Sequence, residues 1–439
     1  MQVQARSGTM TGNIVGSPAV TIAAPTREPS PLVVRTAAVP DPGGLLALLR
    51  ENGPLAWVRR GEGLVGWGHA AATELHGPDR FGQADRWWRD LLSAAVVRDE
   101  VGLPGCGPVV FGSFAFDERS GPSVMVLPEV VVGHRNGHWW VTTVGVRGAL
   151  PPAVSLKEVQ TFRRPPPLAF ADGARSGAEW ELVVKEAVSR ISGGDLEKVV
   201  LARDLVVESP APVDPRWPLA RLAENYPRCW TFCVDGLLGA TPELLVRLER
   251  GLVTSRVLAG TIRRTGDDAH DLALAASLAR SSKDLEEHEY AVRSVAGALR
   301  AFCSSMNVPE TPFVLHLANV MHLATDVTGV AAGHSSSLEL TAALHPTAAV
   351  CGTPTGAAAA LIAEIEGMDR GRYAGPVGWM DASGDGEWGI ALRCAHIDPD
   401  DPARLRLFAG CGIVAGSDPE AELAESVAKL LPMRDALSG

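Results

Sequence analysis

Four stretches place ionisable groups where an apolar chain would not spend them. In "DLEKVVLARDL" Lys198 stands directly before Val199, Val200 and Leu201. A lysine at the mouth of a buried strand loses solvation, which lowers its pKa in the direction a general base requires. In "GLLGATPELLVRL" Glu243 follows a glycine-containing turn and a proline and leads into Leu-Leu-Val. A glutamate held at that edge has its pKa raised and can donate a proton. "SSKDLEEHEYAV" sets Asp284 and Glu287 three residues apart on one helix face, and "GSDPEAELAESVAKLL" sets the N-cap residue Asp418 and Pro419 ahead of Glu422, Glu425 and Lys429. Two acidic faces supply the few oxygen ligands that magnesium takes while it keeps waters for substrate oxygens to replace. Each stretch alone also has an ordinary reading: a lysine that snorkels or pairs with Glu197, a turn glutamate, a solvated helix face.

Weaker elements accompany these. "LAGTIRR" and "FAGCGIVAG" are glycine turns whose backbone N–H groups can hold an anion. Arg393 in "GEWGIALRCAHI" projects from an apolar strand, where it can grip a carboxylate through two parallel hydrogen bonds or form a structural ion pair. The histidines form no metal-binding spacing, and neither GxSxG nor GxxxxGK[ST] occurs, so hydrolase triads and nucleotide P-loops have no support.

The elements that must position these groups follow from periodicity. Residues 1–30, rich in Ser, Thr, Gly and Pro, read as a flexible tail. Residues 31–165 carry short strand-like runs such as "GPVVFGSFAFD", "SVMVLPEVVVG" and "HWWVTTVGV", with one helix near 84–97. "RRPPPLAF" sustains neither a helix nor a central strand and marks the boundary between two halves. Beyond it "AEWELVVKEAVSRISGG" is a helix with a glycine stop, "KVVLARDLVV" a strand, and "HDLALAASLARSSKDLEEHEYAVRSVAGALRAF" has helical spacing over many turns.

With 439 residues, 46% of them hydrophobic, the chain can bury a large core. A net charge of −11 without a basic block argues against nucleic-acid and membrane partners. Seven scattered cysteines without a CxxC pair fit reduced thiols, and the start lacks a signal peptide's apolar centre, so a soluble cytoplasmic protein is expected.

Taken in order, "KVVLAR", "GATPELL", "LAGT", "SKDLEEH", "LHPTAAVCGTP", "YAGPVGW", "LRCA", "FAGCGIVAGSDPE" and "ELAESVAKL" resemble the motif series of the chorismate-utilising enzymes, which are anthranilate synthase component I-like, and most closely the isochorismate synthases. The resemblance is strong over 175–436, the expected chorismate-binding catalytic region, and looser before it. It implies an α/β (α+β) fold of large, mostly antiparallel sheets packed as a sandwich with helices outside. It also implies Mg2+ and a small-molecule substrate, chorismate. On this resemblance Lys198 matches the base that activates water and Glu243 the acid that protonates the departing ring hydroxyl. Glu287 and Glu425 match the metal ligands, with Asp284 supporting them from behind. Gly260, Thr261, Tyr373, Arg393, Gly410, Gly412 and Lys429 match positions around the substrate carboxylates, and His322 one near the ring. The resemblance points to Ala349, where ammonia-using relatives and salicylate synthases usually carry threonine, as a mark of water addition that stops at isochorismate. Tyr373 instead resembles the salicylate synthases. Two alternatives stay open: salicylate formation by pyruvate elimination, and a non-catalytic chorismate sensor. A monomer without a glutamine amidotransferase subunit is expected.

Overall fold

The structure, a computed structural model, describes residues 31–51, 53–151, 154, 156, 161–317 and 320–438, and the side chains of Lys283 and Glu287 lie outside the described set. The tail expected over 1–30 also lies outside it. Two large sheets of thirteen and ten strands stack face to face. Every strand pair is antiparallel except Leu32–Ala38 with the edge strand Ala95–Asp99. Large side chains fill the space between the sheets: Trp57, Phe111, Phe114 and Trp388 are all at most 1% exposed. Each contributes about 1.5–3 kcal/mol by leaving water.

Neither half of the chain builds a sheet of its own. In the larger sheet Trp230–Val234 pairs with Leu55–Arg59, and in the smaller one Pro376–Asp381 pairs with Val109–Ser113. The Pro-rich stretch around 165 therefore joins two sets of interleaved strands.

The helix expected near 84–97 runs from Arg80 to Ser93, and the chain then extends as Ala95–Asp99. The β-branched pair Val96-Val97 suits an edge strand, where both side chains are exposed. The long helical run after His270 is two helices, Asp268–Leu278 and Ser282–Leu299. The first ends with Ala279 as its C-cap, and Ser281 caps the second, its Oγ accepting from Asp284 N at 3.3 Å.

The strand Lys198–Glu208 pairs along its length with Arg404–Ile413. The helix Gly177–Ser192 covers it, with Trp180 Nε1 donating to Ala202 O at 3.1 Å. Coverage on both faces explains a continuous apolar run where a half-exposed strand would alternate. That helix begins with a reciprocal cap between Ser176 and Glu179 and ends at Gly193. The final helix, Pro419–Ser438, packs on Arg404–Ile413; Asp418 Oδ1 accepts from Ala421 N at 2.9 Å, with Pro419 in its first turn.

Candidate active site

Two of the points at which the chain passes from one sheet to the other lie side by side, and both carry charge. Leu237–Thr241 lies in the larger sheet and Leu244–Glu249 in the smaller, with Pro242-Glu243 between them. Beside them Gly386–Ile390 lies in the smaller sheet and Cys394–Ile397 in the larger, with Ala391, Leu392 and Arg393 between. The pairs Leu244–Gly389 and Gly239–Cys394 hold the crossings together, and Ile390 N donates to Glu243 O at 3.2 Å. Arg393 thus does not project from a strand as its apolar surroundings suggest. It sits at the break, with a left-handed φ of 50°. Both flanking strands are buried, so the hydrophobic pattern does not register the change of sheet.

Burial dominates Glu243, which is 8% exposed, and pushes its carboxyl up to about 7 although Lys198, Arg393 and Lys429 pull it down. A carboxyl raised this far can hold a proton near neutral pH. Lys198 approaches from the larger sheet and is half-buried. Its side chain lies along Gly412, where an added Cβ would stand 2.9 Å from Lys198 Cε.

Gly260 occupies a bulge in the strand Leu252–Arg263 with φ +73°. A Cβ there would meet Asp284 Cβ at 3.2 Å and Leu323 Cδ1 at 3.3 Å, so both backbone angle and space call for glycine. After the bulge Thr261 faces His322, with Thr261 Oγ1 2.9 Å from His322 Nδ1. His322 Nε2 is buried without a hydrogen-bond partner among the described residues. Burial, with repulsion from Arg393 and Lys429, presses this imidazole down to about 3, so it is neutral at pH 7. An orphaned buried nitrogen in a cavity wall points to contact with a ligand.

On the final helix Lys429 Nζ lies 2.5 Å from Glu425 Oε1 and donates to Gly410 O at 2.9 Å. Burial pushes Glu425 up, but Lys429 and Arg393 outweigh it and hold the carboxylate below its ordinary range. The Cys411 thiol lies within 4.8 Å of the Glu422 and Glu425 oxygens, yet burial pushes it up to about 12, so the ionised donors on offer are oxygens. Asp284, from the helix Ser282–Leu299, lines the same cavity as Glu425, and carboxylate oxygens of this kind suit magnesium. Glu287 is on that same helix, Ser282–Leu299, with its side chain outside the described set.

One cavity of about 240 Å³ is lined by Lys198, Glu243, Gly260, Thr261, Asp284, His322, Ala349, Tyr373, Arg393, Gly410, Gly412, Glu425 and Lys429. Tyr373 is buried, stacks on Phe408 with ring centroids 5.0 Å apart, and stands against Gly410. Cations and carboxylates are interspersed in the cavity wall: Lys429 is paired with Glu425, and Lys198, Arg393 and Lys429 all act on the buried Glu243. Sequence reasoning missed Arg370, which also lines the cavity. Arg370 is buried against Glu366 at 2.5 Å and donates to Val350 O and Val200 O at 3.0 and 2.7 Å, while Glu366 Oε2 accepts from Ala202 N at 2.8 Å. This pair braces the backbone next to both Lys198 and Ala349. Its only sequence sign is the Glu-x-x-x-Arg spacing in "EIEGMDR".

Comparison with known proteins agrees with this geometry. Residues 54–438 match the family model described as chorismate binding enzyme. The salicylate biosynthesis isochorismate synthase of Pseudomonas aeruginosa is 35% identical over 89% of this chain and 86% of its own length. Isochorismate synthase EntC of Escherichia coli K12 is 34% identical over 77% of this chain and 84% of its own. Among solved structures, the putative 2,3-dihydroxybenzoate-specific isochorismate synthase DhbC of Bacillus anthracis superposes with a TM-score of 0.73 at 34% identity, over 90% of this chain and 98% of that one. Anthranilate synthase component I of Streptococcus pneumoniae, at 21% identity and a TM-score of 0.71, shares the fold over 86% of this chain and 92% of its own. With the family model matched along nearly the whole described chain, the protein belongs to the chorismate-binding enzymes.

Proposed function

We propose that this chain is an isochorismate synthase, converting chorismate to isochorismate reversibly by adding water to the ring as the ring hydroxyl leaves. The observation that carries the reading is Glu243, held protonatable near neutral pH by burial in the same cavity as Lys198. Lys198 takes a proton from water, and Glu243 gives one to the departing hydroxyl; in reverse the roles exchange. Arg393 and the backbone around Gly410 and Gly412 bind one substrate carboxylate, with Lys429 tying that backbone to the final helix. Neutral His322 directs Nε2 to the ring side and is oriented by Thr261. Glu425 and Glu287, supported by Asp284, would hold magnesium, which supplies positive charge for the ring carboxylate. Ala349 supports water as nucleophile, since its methyl group offers no hydroxyl to orient an amine.

Tyr373 favours one second reading, elimination of pyruvate to salicylate, because its hydroxyl lies at the carboxylate-binding glycine turn. Chromatography of the products from chorismate with magnesium, with and without ammonium, tests both. Isochorismate is expected in each case. Salicylate or an aminated ring as the main product would overturn the proposal, and bound but unconverted chorismate would leave a sensor.

A further inference from the structure

Glu243 lines a second, much smaller space besides the substrate cavity. It is about 20 Å³ in volume and lies among the strands Leu244–Glu249 and Leu252–Arg263, the helix Ser282–Leu299 and the segment 347–349. Leu245, Val257, Val295 and Ile390 make much of its wall apolar, yet Thr347, Ser255 and Glu243 bring polar groups to it. Thr347 is 9% exposed, and its Oγ1 is buried without a hydrogen-bond partner among the described residues. Ser255 Oγ donates to Leu245 O at 2.7 Å, which leaves its lone pairs available to accept. Among the described residues the hydrogen bonds of Glu243 belong to its backbone, N donating to Thr241 Oγ1 and O accepting from Ile390 N, both at 3.2 Å. A buried hydroxyl and a buried carboxyl left without such bonds are costly. Both residues border one space, and its volume exceeds the about 10–15 Å³ that a water molecule needs.

We infer that this space binds a single water molecule, held by Thr347 and Ser255 against the Glu243 carboxyl. Donors and acceptors match. The Thr347 hydroxyl donates to the water, which donates to Ser255 Oγ and to one carboxyl oxygen, giving the about three hydrogen bonds usual for a buried water. The oxygen that accepts from water is thereby kept clear of the acidic proton, and the other oxygen presents it to the departing ring hydroxyl. Once the proton has left, the same water stabilises the carboxylate. Thr347 is thus a positioning residue that acts on the acid through water. The kinetic part of this inference rests on the isochorismate synthase reading; the water site rests on the cavity and the orphaned hydroxyl.

Two wild-type measurements come first, the product formed from chorismate and a crystal structure at a resolution that shows ordered water. A main product other than isochorismate would defeat the reaction reading and leave the crystal structure to decide the water site; no water density in the small cavity overturns the inference in either case. Thr347→Val keeps the size of the side chain and removes its hydroxyl. It should lower kcat about tenfold at unchanged KM and move the high-pH limb of kcat up by about one unit, the same loss of carboxylate stabilisation read twice. Thr347→Ser should restore both. The charges around Glu243 stay as they are in these variants. Lys198, Arg393 and Lys429 act on it, and Asp284, His322, Arg370, Tyr373 and Glu425 share the substrate cavity with it. Arg256, paired with Asp326, lines the small space. In a dry cavity Thr347→Val would remove an unsatisfied hydroxyl, so a higher melting temperature with an unmoved pH limb would refute the inference. If Thr347→Val does not fold, Ser255→Ala is read in its place.

Discussion

Replacing Glu243 by glutamine should change how stability depends on pH, by an amount the structure sets. The carboxyl is raised from an ordinary 4.5 to about 7 by burial. Between those values the folded protein keeps a proton that the unfolded chain has released. The contribution of this carboxyl to stability therefore falls as pH rises through this window, and the loss is complete above about 7. The difference corresponds to about 3 kcal/mol. Glutamine fills the same space and does not titrate, while the buried histidines contribute equally to both proteins, so Glu243→Gln should gain about 3 kcal/mol relative to the wild type between pH 4 and pH 8. Urea unfolding of both proteins at half-unit steps of pH measures it. A wild-type-minus-variant difference that moves by less than ~1 kcal/mol would refute the claim that burial outweighs Lys198, Arg393 and Lys429 at this carboxyl. The same proton appears in the kinetics: turnover of chorismate should fall as pH rises through about 7, and the variant should bind chorismate without releasing the ring hydroxyl.

Other substitutions isolate other parts of the site. Glu425→Gln and Glu287→Gln should each weaken magnesium binding in a calorimetric titration, since each removes a charged oxygen donor; unchanged affinity in both would return them to a solvated helix face. Gly412→Ala puts a methyl 2.9 Å from Lys198 Cε and should cut kcat about tenfold or more with an unchanged melting temperature; full activity would mean that the lysine's position is not critical. Arg370→Met strands the Glu366 carboxylate in the core and should cost about 3–5 kcal/mol, most of it recovered by adding Glu366→Leu; a single variant as stable as the wild type would deny the bracing role.

Residues whose chemistry conflicts with their neighbours were readable from the chain. Lys198 before a buried strand and Glu243 after a proline each break a local pattern, and each lies in the cavity. Asp418 and Pro419 start their helix as capping chemistry dictates. What escaped depends on contacts distant in sequence. Arg393 belongs to a crossing between sheets, invisible because the strands before and after it are equally apolar. The split of the long helical run at Ser281 is a one-residue capping choice inside continuous helical spacing. Arg370 and Glu366 look like any surface pair four residues apart until the fold brings Val200, Ala202 and Val350 against them. The orphaned Nε2 of His322 is a matter of burial alone and leaves no mark on composition or spacing.

The interleaving of early and late strands also governs how the protein comes to be made. Leu55–Arg59 waits for Trp230–Val234, and Val109–Ser113 waits for Pro376–Asp381, so strands of the first third have edges that only the second half of the chain can close. Trp57 Nε1 finds its carboxylate in Glu387, 330 residues later. Such long-range pairing makes folding slow and leaves apolar strand edges open to other chains during synthesis. Yield of native protein should therefore depend on temperature and chaperone supply during expression more steeply than the stability of the finished fold would suggest, and separately expressed halves should fold only in each other's presence.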